Sequence, residues 1–298
     1  MSRPWPCWAS RSIPACGTAR SSRRPVAERR GGPSSASGIT AREAAPDILL
    51  QGVTRDFGAV AALAPIDLRI TGGAVTALVG PSGCGKSTLL RLLAGLIPPS
   101  RGHILVGAET PDALRRRAGL AMAFQDAALL PWRSVRGNVA LGRALARRPR
   151  DPRADEALIG LVGLAGFETW RPAELSGGMR QRAAIARALA AAPELLLLDE
   201  PFGAVDELTR ERLNAELPPL WETAGATVIL VTHSVTEAVR LSDRVLVMTP
   251  RPARIAADIP VPLPRPRAEA LAATERFAGI CAAVRAALRS AEPAAGPR

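Results

Sequence analysis

The stretch Gly80-Pro81-Ser82-Gly83-Cys84-Gly85-Lys86-Ser87-Thr88 fits the pattern G-x-x-x-x-G-K-[ST]. Glycines at these places let backbone N–H groups close around a polyphosphate, and a helix starting inside the loop adds partial positive charge. Lys86 then bridges the β- and γ-phosphates, and the Ser87 hydroxyl ligates Mg²⁺. Composition isolates the same residue: the chain has 39 Lys and Arg residues, and Lys86 is its single lysine. A planar guanidinium would not fit a cleft between two phosphates that a compact ammonium can enter.

Two further groups can do chemistry. Leu195-Leu196-Leu197-Leu198 ends in Asp199-Glu200, so two carboxylates sit at the carboxyl end of a run apolar enough to be a buried strand. That is where open α/β sheets bind ligands. Asp199 is placed to hold Mg²⁺ through water, and Glu200 to polarise the attacking water. Residues 227–232, expected to be the last strand, deliver His233 in the same way. Ser176-Gly177-Gly178 is different in kind, an N-cap followed by glycines that opens a second anion-attracting helix end.

The elements that must position these groups follow from pattern. Residues 75–79 are an apolar, partly β-branched run leading into the loop, and residues 88–94 have helical composition. Residues 48–57 and 66–70 alternate as half-exposed antiparallel strands do. Phe57 is the aromatic best placed to stack on an adenine ring. Residues 102–107 form another short strand with His103 on its exposed side. Residues 135–146 and 154–164 read as helices, and the helix capped by Ser176 cannot pass Pro193. Beyond residue 250 a proline-rich connector precedes apolar positions Leu271, Phe277, Ile280, Cys281, Val284 and Leu288, spaced as an amphipathic helix docked on the domain.

Composition bounds the class. With 298 residues, 47% of them apolar, the chain can bury a sizeable core. No apolar run approaches the length of a membrane span. Four scattered cysteines, Cys84 among them, make neither a disulfide frame nor a metal site. The net charge of +12 belongs to the ends: +6 in residues 1–45, +4 in residues 250–298 and only +2 between. That distribution fits solvated or headgroup-facing tails better than a nucleic-acid groove. Residues 1–45, rich in Arg, Ser, Pro and Gly, read as a disordered extension. Residues 46–250 form one domain with a helical part at about 126–180, and residues 251–298 hold the connector and terminal helix.

The phosphate loop, Gln125, LSGGM at 175–179, LLLLDE at 195–200 and His233, in this order, resemble the nucleotide-binding subunit of ABC transporters. The resemblance covers about residues 47–255. Residues 128–135, 174–181, 199–206 and 251–255 look most like the importers for nitrate, aliphatic sulfonates and taurine. It implies an α/β fold: a P-loop NTPase (RecA-like) core with an N-terminal antiparallel β subdomain and an inserted helical subdomain. It also implies a head-to-tail homodimer in which ATP is sandwiched between one subunit's phosphate loop and Ser176, Gly177 and Gly178 of the other. Gln125 would join Mg²⁺ and link the core to the segment that contacts an integral membrane permease. His233 would hold the γ-phosphate and the water, and Asp206 would lie in the loop that crosses between subunits. The permease and a periplasmic-type substrate-binding protein would choose the solute, and the subunit would sit peripherally on the cytoplasmic face of the inner membrane. Val205, Ser234, Thr236 and Ala74-Val75 depart from the usual pattern without removing a phosphate, metal or water ligand. The alternative suggested by the basic ends is a soluble ABC-type ATPase acting on nucleic acid or ribosomes; the importer reading expects no nucleic-acid partner.

Overall fold

A computed structural model describes residues 45–218, 225–265, 267 and 269–291. The extension expected over residues 1–45 lies, Ala45 apart, outside them. Strands β1 (Ile48–Phe57), β2 (Val60–Ile70) and β4 (Arg101–Val106) form a three-stranded antiparallel sheet in the order β2-β1-β4. The second strand is longer than its periodic part at 66–70. Its first half, Val60-Ala61-Ala62-Leu63-Ala64-Pro65, lacks β-branched alternation and is drawn in by pairing with Arg55, Asp56 and Phe57. Pro65 is tolerated because β2 is an edge strand.

The second sheet has six strands: β3 (Val75–Val79), β5 (Leu120–Ala123), β6 (Leu195–Asp199), β7 (Thr227–Val231), β8 (Arg244–Met248) and β9 (Ile255–Pro260), ordered β5-β6-β7-β3-β8-β9. All neighbours are parallel except β8 and β9. The expectation that 227–232 is the last strand is corrected: two more follow, and β8 pairs directly with β3. Residues 255–260, expected as connector, are the antiparallel edge of this sheet. Strands β3, β6 and β7 are buried along their whole length. Each Leu, Val or Ile taken fully out of water there contributes about 1.5–3 kcal/mol.

Helices cover both sides. Lys86–Leu93 packs Leu89, Leu90, Leu92 and Leu93 into the core shared with the antiparallel sheet. Val135–Leu145 and Pro152–Leu161 lie against Gly177–Ala190, which ends just before Pro193. The terminal helix Glu275–Ala291 buries Phe277, Cys281 and Val284 against Val245, Val247 and Val261. Its apolar stripe is therefore covered by the domain. Among the described residues no helix is long and apolar enough to cross a membrane.

Candidate active site

Strand β3 hands the chain to the phosphate loop, and the loop to the helix Lys86–Leu93. Gly85 has φ +129°, and a Cβ there would come within 3.0 Å of Leu63 Cδ2, so only glycine fits. As N-cap, Gly85 offers no side-chain acceptor, which leaves the first N–H groups of the helix available to an anion. Lys86 is buried, 6% exposed. Its Nζ donates to the carbonyl oxygens of Gly80 at 2.8 Å and Pro81 at 2.9 Å, with Cys84 Sγ at 4.0 Å.

The Ser87 hydroxyl lies 3.2 Å from Asp199 Oδ1, bringing two hard oxygen donors to one point. Burial raises the Asp199 carboxyl above the ordinary carboxylate range; the Ser87 hydrogen bond opposes this, and the charge of Glu200 adds to it. An oxygen pair that is costly to leave buried and ionised fits a divalent cation.

Glu200 follows Asp199 in a left-handed conformation, φ +47°, and its N–H donates to the Val231 carbonyl at 2.9 Å. The bend turns its carboxylate out of the sheet. Gln125 Nε2 donates to Glu200 Oε2 at 3.3 Å, and His233 Nδ1 lies 3.7 Å from the same oxygen. An open cavity of about 480 Å³ is lined by Lys86, Ser87, Gln125, Glu200, His233 and Arg251, with Ser82, Gly83, Gly85 and Thr88 as its floor. The ends of β3, β5, β6 and β7 thus converge, as they must when parallel strands end on one side of a sheet. N–H groups, an ammonium and a carboxylate around one cavity can grip a triphosphate at one end and orient water at the other.

Arg251 was not foreseen as a member of this group. The chain leaves β8, and Arg251 Nε donates to the Gly83 carbonyl. Only the pairing of β8 with β3 brings it there, and nothing local in the sequence signals that neighbourhood.

Phe57, Ser176, Gly177, Gly178 and Asp206 do not line the cavity. Phe57 is 47% exposed at the hairpin end of β1, with the Arg55 guanidinium 4.5 Å from its ring centre. Ser176 is exposed, and its hydroxyl accepts from the Met179 N–H at 3.2 Å, capping Gly177–Ala190. A Cβ on Gly178 would lie 2.7 Å from the Ala204 carbonyl, so packing within the chain requires that glycine. Gly177 is exposed, and a Cβ there would meet nothing closer than 3.9 Å. Asp206 caps the helix Glu207–Glu216, accepting from the Thr209 N–H at 3.0 Å, and this bond holds its carboxyl below the usual range.

The family model for the ABC transporter domain matches residues 63–203. The aliphatic sulfonates import ATP-binding protein SsuB 1 of Burkholderia cenocepacia is 48% identical over 231 residues, 77% of this chain and 69% of that protein. The taurine import ATP-binding protein TauB of Burkholderia thailandensis is 48% identical over 203 residues, 67% of this chain and 77% of that one. The solved dimeric structure of MJ0796, a bacterial ABC transporter cassette, superposes with a TM-score of 0.66 at 30% identity, covering 72% of this chain and 98% of that one. A likeness of this depth, extending from the antiparallel sheet through the strand ends that converge on Lys86, shows that the chain belongs to the ATP-binding subunits of ABC transporters.

Proposed function

We propose that this chain is the ATP-hydrolysing subunit of an importer for nitrate, an aliphatic sulfonate, taurine or a similar small solute. The observation that carries the hydrolytic part is the meeting of Gln125, Glu200 and His233 around one carboxylate oxygen, at the rim of the phosphate-loop cavity. The solute class rests on the two import subunits at 48% identity. The positive charge is confined to the two ends, and the nearly neutral body between them favours no nucleic-acid partner.

In this reading Lys86 leaves the carbonyls of Gly80 and Pro81 for the β- and γ-phosphates of ATP, and the N–H groups after Gly85 face the same anion. Ser87, Asp199 and Gln125 would hold Mg²⁺, which when bound neutralises charge on the phosphates. Glu200 orients the attacking water, and His233 holds water and γ-phosphate together. Phosphoryl transfer needs little more than such positioning and charge stabilisation.

The cavity of one chain does not use Ser176, Gly177 or Asp206. Gly178 is explained by packing within the chain, whereas the bare surface at Gly177 is not. A second copy bringing its helix end to the ATP gives that surface a purpose, with Phe57 on the adenine and Asp206 at the crossing. The dimeric MJ0796 cassette supports the pairing. A membrane permease would receive the motion on the cytoplasmic face, and a periplasmic-type binding protein would select the solute.

The purified full chain is expected to hydrolyse Mg-ATP, and Lys86→Ala to lower the rate by about two orders of magnitude. A wild-type rate no faster than that of Lys86→Ala overturns the proposal.

A further inference from the structure

Behind the Gln125–Glu200–His233 cluster lies a carboxylate that the hydrolytic reading does not use. Glu237, in the helix Val235–Leu241, is 7% exposed. Its Oε2 accepts from the Thr232 hydroxyl at 3.0 Å, and the Thr232 oxygen accepts from the Ser234 N–H at 3.0 Å. The Ser234 hydroxyl in turn accepts from the Glu237 N–H at 3.3 Å, closing a ring. Residues 232 and 234 flank His233, so the ring fixes the backbone on both sides of the imidazole.

The other oxygen, Oε1, is buried without a hydrogen-bond partner, and so is Nε of Arg210 in the helix Glu207–Glu216. Both residues border a second cavity of about 10 Å³, also lined by Glu200, Thr232 and His233. That is close to the smallest space that can hold one water. Arg210 is itself tied to the crossing segment, donating to the Val205 carbonyl at 2.9 Å and to Glu207 at 3.0 Å. A buried oxygen without a partner is destabilising, so its place beside the reacting groups calls for a reason beyond stability.

We propose that Glu237 is a positioning residue for hydrolysis, holding the His233 loop through Thr232 and Ser234 and tying it to the 202–210 segment through the small cavity shared with Arg210. This rests on the hydrolytic reading above and deepens it. A subunit-crossing segment that moves shifts Arg210, and its charge, which acts on Glu237 across the shared cavity, shifts with it beside the carboxylate that holds the His233 loop. Glu237 is faced by Arg210 and Glu207 from the helix Glu207–Glu216, by Glu200 from the end of β6 and by Thr232 and His233 from the end of β7; Arg240 shares its own helix. Burial raises its pKa to about 7, the Thr232 bond and Arg210 opposing, Glu200 and Glu207 reinforcing. When protonated, Oε1 becomes a donor toward the cavity; when ionised, it is an acceptor beside Arg210.

The test is steady-state hydrolysis by the full chain and three variants, with nucleotide affinity measured in parallel. Glu237→Leu removes the acceptor at similar volume, and is expected to lower kcat by about tenfold or more with KM for ATP within about twofold. Thr232→Val cuts the ring at its other side and should reproduce the same split, which keeps the test decisive if the Leu variant fails to fold. Glu237→Gln, a neutral isostere, should restore most of the rate at about pH 6 and diverge from wild type at about pH 8. Leu and Val variants with wild-type kcat overturn the proposal, as does a Gln variant that tracks wild type at both pH values. An inactive wild type would instead overturn the hydrolytic reading.

Discussion

The hydroxyl of Ser87 and the carboxylate of Asp199 stand 3.2 Å apart although 112 residues separate them in the chain. One lies in the first turn of the helix after β3, and the other ends β6, with β7 lying between those strands in the sheet. Both are oxygen donors suited to Mg²⁺. Ser87→Ala and Asp199→Asn are each expected to lower Mg-ATP hydrolysis by about two orders of magnitude. Titrating Mg²⁺ at fixed ATP checks the assignment: the variants should need more metal, and an unchanged midpoint would contradict it.

Asp199 and Glu237 also carry a stability prediction. Both carboxyls are raised by burial, so the folded protein holds those protons more tightly than the unfolded chain. Stability contributed by the neutral form is then lost as pH rises through the window between the two values. For Glu237 the window runs from 4.5 to about 7, and the loss is at most about 3 kcal/mol. Glu237→Gln should therefore gain melting temperature relative to wild type as pH climbs from about 5 to about 7.5. A difference in Tm independent of pH would refute this.

Gly177 gives a test that separates folding from pairing. An acid at the first position of the helix Gly177–Ala190 complements the helix dipole by about 0.3–1 kcal/mol, and space exists for a side chain. Gly177→Asp should thus melt no lower than wild type. Placed on Glu200→Gln, which is expected to trap an ATP-bound dimer, the same substitution should hold the protein monomeric by repelling the partner's triphosphate. Light scattering with and without ATP reads the outcome; a persisting dimer would remove Gly177 from the interface.

The terminal helix should matter for stability and not for chemistry. Phe277 is 5% exposed among Val245, Val247 and Val261, and truncating a buried Phe costs about 3–5 kcal/mol. Phe277→Ala is expected to lower Tm by several degrees while leaving KM for ATP unchanged at a temperature where the variant is folded. A changed KM would show that the helix reaches the site.

Legibility in the sequence followed the strength of local signals. Val75–Val79, Leu195–Asp199 and Thr227–Val231 were readable because a strand buried on both faces is apolar at every position. Ser176 was readable as a cap, and Pro193 as a stop, because each acts within one turn of itself. Leu120–Ala123 was not, since Leu-Ala-Met-Ala suits a helix as well as a strand, and only pairing with Leu195–Leu198 decides it. Arg244–Met248 carries a strand pattern of its own, yet nothing in its residues says that it lies beside β3. Arg251 was missed for that reason, being brought to the site by sheet order; Glu237 is a local case, an acid three residues after the N-cap Ser234, and that capping pattern beside His233 was the signal available for it.

The strand that leads to Gln125 has a ladder on one flank alone, because β5 is the outermost member of the six-stranded sheet. The strand that carries the phosphate loop is bonded on both flanks, to β7 and β8. Tilting the lobe that begins after β5 strains a single row of bonds, whereas shifting the nucleotide cradle would shear two. A strand bonded on both flanks resists displacement more than one bonded on a single flank, so any motion in this sheet is expected first at β5 and the Gln125 that follows it.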